Sequence, residues 1–220
     1  MSDAAFDALE DTGRRLVTLS RASRSFAALR DGSATVALYR DWLAQTALYC
    51  AVTGEVLVTA AESLRRAGDP LSGWARDFAD HGAEEGEENG VILQDLAILG
   101  VRGGETAPIP PVAAYLAMVR TMASDERWAV GLFGLVRVLE LLARDCAGVI
   151  HENLSRSAFP EIRGALRFLE AHRDEEEHLA RTETVIRSVP PEYDPTLIWC
   201  GRMACQIYDG LLAHLDARRH

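Results

Sequence analysis

Apolar positions along the chain recur at helical rather than strand spacing. Phe6, Leu9, Leu16, Leu19 and Phe26 predict a first helix over residues 4–29, broken by Asp31-Gly32-Ser33. Ser33 is placed to cap a second helix, in which Val36, Tyr39, Leu43, Leu48, Val52, Val56 and Leu57 carry the pattern to Arg66. Gly68-Asp69-Pro70 ends it, and Gly54 is a candidate bend. A third helix over 71–99 stops at Gly100 and is followed by a Gly- and Pro-rich loop from Arg102 to Pro111. Residues 112–122 form a short fourth helix, and the acidic turn Ser124-Asp125-Glu126 caps a fifth over 128–150. That fifth helix is apolar nearly all round, which predicts a central position. Pro160 opens a sixth helix reaching Ser188, Pro190-Pro191 ends it, and residues 196–217 make a seventh. No strand alternation competes, and there is no repeat. The expectation is an all-α fold, one domain over residues 1–220, with about seven helices in a bundle.

Three helices carry chemistry on faces that should be apolar. At roughly 100° per residue, Trp74, Phe78, Ile92, Leu96 and Leu99 fall within about 60° of one another, and His81, Glu85 and Glu88 lie on the same stripe. No Lys or Arg stands between Arg76 and Arg102, so these groups need a cation from elsewhere. The sixth helix repeats the anomaly. Phe168, Ala171, Leu179, Thr182 and Ile186 fall within about 40° of Glu175, and His172 and His178 flank it at about 60° on either side. The fifth helix adds Glu140, its lone carboxylate between Arg127 and Arg144. Imidazole with carboxylate is a donor mixture that suits iron or manganese, whereas thiolates would point to zinc or an iron–sulfur cluster. The candidate metal ligands are therefore His81, Glu85, Glu88, Glu140, His172, Glu175 and His178, with Glu85 and Glu88 equally well directed. Two structural alternatives stand beside this reading. Acid runs such as Glu84 to Glu88 also occur as solvated helix faces, and Arg137 or Arg144, three and four residues from Glu140, could pair with it. Gly82, Gly86 and Gly90 recur beside the ligand face at a cost of roughly 1 kcal/mol each relative to Ala. Either a neighbouring helix packs closely there or the backbone yields locally.

Composition narrows the function class. A chain of 220 residues, 48% hydrophobic and 25% charged, can bury a sizeable core. Its formal net charge of −10 disfavours a nucleic-acid partner, which would be held by Lys and Arg on phosphates. The N-terminus lacks a basic start with an apolar run, and no stretch of about 18 residues is free of charge, so neither a signal peptide nor a membrane span is expected. Cys50, Cys146, Cys200 and Cys205 are scattered without a metal-binding or framework spacing, which predicts reduced thiols and a cytoplasmic location. The expected partner is a small-molecule substrate, and a homodimer is compatible with the sequence. Tyr39 and Trp42 are the candidate substrate contacts, though aromatics at helical spacing are more often core.

The motif His81-x-x-Glu84-Glu85-x-x-Glu88, running on into Gln94-Asp95-Leu96 and Leu99-Gly100, then a lone Glu140, then His172, Glu175 and His178, resembles the haem-oxygenase-like diiron oxidases and oxygenases. The family's acid and histidine stand here in reversed order as His81 and Glu88, and the late residues are spaced three and three rather than four and three. The resemblance implies the helical fold shared by haem oxygenase and thiaminase-like proteins. It also implies two Fe(II) ions, O2 as co-substrate, and oxidation of a small amino acid, amine or fatty-acid-like substrate in natural-product biosynthesis. Haem oxygenase itself is disfavoured, because that family binds haem through a histidine on the first helix and this chain has none before His81. The competing expectation is a metal-free protein of the same fold, thiaminase-like or ligand-binding, in which the acids act as hydrogen-bond acceptors. Cys146 is the one cysteine on the central helix, and nothing in its sequence surroundings looks activating.

Overall fold

In the computed structural model the chain opens with α1 (Asp3–Ala22) and α2 (Arg24–Asp31), where the sequence pattern predicts one helix. The structure describes residues 1–102, 106–173 and 176–218, without the side chains at 87, 88 and 177. The break falls at Ser23, whose backbone is extended and whose hydroxyl accepts from the Phe26 amide at 3.2 Å. Its cause is tertiary. Asp216, near the far end of the chain, accepts from the Arg24 and Ser25 amides at 3.1 and 2.7 Å and from the Ser23 hydroxyl at 3.1 Å. Donors freed by the break are thereby satisfied.

Helix α3 (Val36–Ala67) is capped by Thr35 rather than Ser33: the Thr35 hydroxyl accepts from the Leu38 amide at 3.1 Å, while Ser33 turns back onto Asp31 at 2.6 Å. Gly68, at φ 76°, ends it. A short 3-10 turn (Leu71–Trp74) leads into α4 (Ala75–Ile98), which closes before Gly100 at φ 79°. Then come α5 (Pro110–Ala123), α6 (Glu126–Ala129) capped by the Asp125 carboxylate, and α7 (Leu132–Leu154). The late segment, predicted as one helix, is three: α8 (Pro160–Gly164), α9 (Arg167–Ala171) and α10 (Glu176–Ser188). Helix α11 (Asp194–Ala217) completes the chain.

The fold is all-α, a single domain of about eight main helices, and no strand occurs among the described residues. Helix α7 is central as its all-round apolarity predicts. It packs against α1, α2, α9, α10 and α11, and Leu132, Phe133, Leu135, Val136 and Val138 are all buried although they point in different directions. Helix α3 is long and apolar enough to cross a membrane by length and composition, but 67% of that stretch is buried inside the protein, where it serves as core.

The most extensive helix pair is α3 with α4, and glycine sets its closest approach. A Cβ on Gly54 would stand 2.9 Å from the Gly82 carbonyl oxygen, and one on Gly82 would stand 3.0 Å from the Gly54 carbonyl oxygen. Of the two explanations open for the glycine series, close packing is therefore the one found at Gly82. Nothing in the structure explains Gly90, where an added Cβ would meet open space.

Candidate metal centre

The contact of Gly54 with Gly82 seats α4 so that its next residues look into the bundle. His81, only 3% exposed, points from α4 towards Glu140 on α7 and His178 on α10. Its Nε2 lies 3.5 Å from Glu85 Oε1, one turn on, and 3.7 Å from Glu140 Oε1 on α7. These are ion-pair distances rather than hydrogen bonds, and neither ring nitrogen of His81 makes a hydrogen bond. From α10 the His178 ring meets the His81 ring edge-on, centroids 5.9 Å apart. Burial alone would push the His81 pKa down, but Glu85 and Glu140 together outweigh burial and hold it above its ordinary value.

Glu140 is 7% exposed, and its second oxygen is anchored: Oε2 accepts from the Thr182 hydroxyl at 2.8 Å. The same hydroxyl accepts from Arg137 Nη1 at 3.3 Å. Arg137 is therefore linked to Glu140 through a threonine, while its own ion pair is with Glu10 of α1, at 2.7 Å. Arg144 pairs with the adjacent Asp145 at 2.7 Å. A carboxylate held this way on one oxygen turns the other towards His81, as outer partners of metal ligands commonly do.

Glu84 faces α10 and takes both arms of the Arg181 guanidinium, one of them at 2.8 Å. That bidentate hydrogen bond, opposed by partial burial, holds the Glu84 carboxyl below its usual range. His178 Nε2 stands 3.9 Å from the same carboxylate. Glu84 thus clamps α4 to α10, whereas Glu85 turns inward.

The expectation of one continuous helix through His172, Glu175 and His178 is corrected by the structure. His172 is the residue that ends α9, and α10 begins afresh at Glu176, so a helical wheel cannot be carried across the junction. Asp95 of α4, fully buried, docks the short α9. Its Oδ2 accepts from the Phe168 amide at 2.8 Å and its Oδ1 pairs with Arg167 at 3.1 Å. The Tyr39 hydroxyl donates to the Ala165 carbonyl at 2.5 Å and holds the preceding turn. His172 Nδ1 stands 2.8 Å from the Phe168 carbonyl, which fixes the ring against its own helix.

A cavity of about 110 Å³ joins these groups: Glu85, Glu140, His172 and His178 all line it. Trp42 lines it too, while Tyr39 is stacked on Trp42 at 5.9 Å and is not part of the lining. Cys146 lines the cavity as well, its thiol pushed up to about 11 by burial. The structure therefore brings together His81, Glu85, Glu140 and His178, with His172 on the same cavity. Glu88, as a side chain, and Glu175 lie outside the described residues. Among the described residues, no group of three or more His, Cys, Asp or Glu side chains converges tightly enough to enclose a metal ion. The donors nonetheless suit a divalent cation chemically, because a buried imidazole with no hydrogen bond lies between two carboxylates.

Sequence reasoning missed the roles of Thr182, Arg181 and Asp95. Asp95 carried a usable signal: with Ile92, Leu96 and Leu99 it occupies an i, i+3, i+4, i+7 stripe, so it was as anomalous as His81. Arg181 carried none, since its partner lies 97 residues away.

No family model matches the chain, and no curated protein is similar to it at the level of sequence. Solved structures are similar in fold. A Shewanella denitrificans OS217 domain of unknown function, described as having a haem oxygenase-like fold, matches with a TM-score of 0.76 at 13% identity, covering 98% of this chain and 92% of that one. A TenA homologue from Pseudomonas syringae pv. tomato DC3000 matches with a TM-score of 0.77 at 12% identity, covering 96% and 92%. A CADD-like protein of unknown function from Nostoc punctiforme PCC 73102 matches with a TM-score of 0.63 at 17% identity, covering 94% and 96%. The chain has the haem-oxygenase-like fold.

Proposed function

We propose that this protein is a non-haem iron oxidase or oxygenase that uses O2 on a small organic substrate, with two Fe(II) ions as its working cofactor. The observation that carries the reading is His81, a buried imidazole with no hydrogen bond at either ring nitrogen, set between Glu85 and Glu140. A protein that only needed a packed core would place an apolar side chain there, since burying an imidazole and two carboxylates together costs desolvation that an apolar side chain avoids.

His81, Glu85 and Glu140 would hold one ion, and His172 and His178, on the same cavity, would serve the second, with Glu88 and Glu175 as the sequence candidates that complete the set. Bound divalent iron supplies the one-electron chemistry that lets O2 oxidise an otherwise unreactive substrate. The chain's own residues do the rest. Thr182 orients Glu140 by occupying Oε2, and Arg181 neutralises Glu84 so that Glu85 faces the cavity with one fewer competing anion. Leu135, Leu139 and Phe168 present an apolar lining that keeps water from the reacting region.

The test is an anaerobic Fe(II) titration of the full chain followed by exposure to O2. The expected result is uptake of close to two equivalents and a transient absorbance on oxygenation. No stoichiometric uptake, or uptake with no optical response to O2, would overturn the reading.

A second reading, a metal-free protein of thiaminase-like or ligand-binding type, draws on the structural likeness to TenA homologues. It requires an activated cysteine or a purely polar recognition site. Cys146 fits the first poorly, because burial holds its thiol as a neutral group at pH 7.

A further inference from the structure

We infer that the substrate accepted at this site has a neutral, apolar body about the size of a benzene ring or a short alkyl chain, recognised by shape rather than by hydrogen bonds. The inference rests on the reading of the His81 cluster as the reacting end of the cavity.

Away from Glu85, Glu140, His172 and His178, the lining among the described residues is mostly hydrocarbon, aromatic or thiol, with Phe26, Leu135, Leu142 and Ile150 among its walls and Thr53 as a hydroxyl. The polar groups that do reach the wall are already engaged within the protein. Trp42 Nε1 donates to the Tyr208 hydroxyl at 3.2 Å, and the Thr53 hydroxyl donates to the Tyr49 carbonyl at 2.8 Å with the Tyr115 hydroxyl 3.3 Å away. A ligand nitrogen or oxygen pressed against most of this wall would lose its water without gaining a partner, a cost of about 1–3 kcal/mol per group; the Tyr208 hydroxyl, which accepts from Trp42, is the exception that keeps a proton to give. Charge fares worse. Among the described residues no arginine lines the cavity, and the sequence contains no lysine, so neither a guanidinium ion pair nor an imine holds a carboxylate or a carbonyl against this wall. The volume bounds the size: an engineered apolar cavity of about 150 Å³ takes one benzene molecule, and this one, its His and Glu end included, measures about 110 Å³.

The experiment compares benzene with pyrimidine, a ring of the same size bearing two acceptor nitrogens, by ligand-detected NMR and thermal shift on the full-length protein. It is run metal-free and again after Fe(II) addition. The expected result is benzene binding at least tenfold tighter than pyrimidine in both states, abolished by Ala143→Leu or Ala147→Leu in protein that keeps its helical circular dichroism. If neither substitution leaves a folded protein, the comparison of the two rings on the unaltered chain still decides. Equal binding of the two rings, preference for pyrimidine, or no benzene binding would overturn the inference. The two readings fail separately. Benzene binding without iron uptake sinks the iron oxidase and spares the apolar site, and iron uptake without benzene binding does the reverse.

Discussion

His81 is the residue on which the candidate chemistry turns, because its buried imidazole stands between the Glu85 and Glu140 carboxylates on two different helices. Replacing His81 with Ala should abolish binding of at least one iron, read as a drop from about two equivalents to one or none by metal analysis. Thr182 acts one step further out. Thr182→Val keeps the shape but removes the donor to Glu140 Oε2 and the acceptor for Arg137, so iron affinity should fall about 10–100-fold. Thr182→Ser should restore most of it, which a purely packing role would not predict. His81, Glu85 and Glu140 were legible from a helical wheel because each sits inside a continuous helix. Thr182 was legible only as a buried position, since what its hydroxyl touches depends on α7 lying across α10.

At the level of elements, the late segment shows where periodicity stops being informative. Residues 160–188 keep a helical apolar pattern, yet α8 is separated from α9 because Asp95 supplies an acceptor to the Phe168 amide that a continuous helix would have bonded internally. Asp95→Ala should leave that buried amide unsatisfied, destabilising the protein by about 1–3 kcal/mol in urea unfolding. It should also speed hydrogen exchange at Leu169 to Ala171, with weaker iron binding as the orientation of His172 is lost. The α3–α4 pair fails differently when altered. Gly54→Ala would gain helix propensity but drive a Cβ to within 2.9 Å of the Gly82 carbonyl oxygen, backbone against backbone. The net effect expected is a loss of about 1–3 kcal/mol, again read from the urea midpoint.

Across the whole molecule the two ends of the chain are tied together, and that tie is pH-sensitive. Asp216 loses hydration on burial, but the Ser25, Ser23 and Arg24 donors more than compensate and set its pKa below the ordinary 3.8. A depressed carboxylate pKa means the tie contributes fully above the unfolded-state value and is lost as the pH falls through the folded one. Asp216→Asn should therefore lower stability at pH 7, by about 1–2 kcal/mol as for the loss of a helix cap. The difference from the unaltered protein should shrink as the pH drops below 3.8. Iron acts on the whole fold as well: at a free concentration about a hundredfold above the dissociation constant it should add about 2.7 kcal/mol, a rise of roughly 5–10 °C in Tm by calorimetry. The sequence by itself determined the all-α class, the central place of the Leu132–Leu154 helix and the inward direction of His81, Glu85 and Glu140. Each of these follows from local periodicity, which a helix converts directly into a buried face. Only the tertiary structure decided where the first and late helices break, that Glu84 clamps Arg181 while Glu85 faces the cavity, and which oxygen of Glu140 is left towards His81. Those choices are made by partners 42 to 193 residues away, and the spacing of one helix holds no information about what will be packed against it.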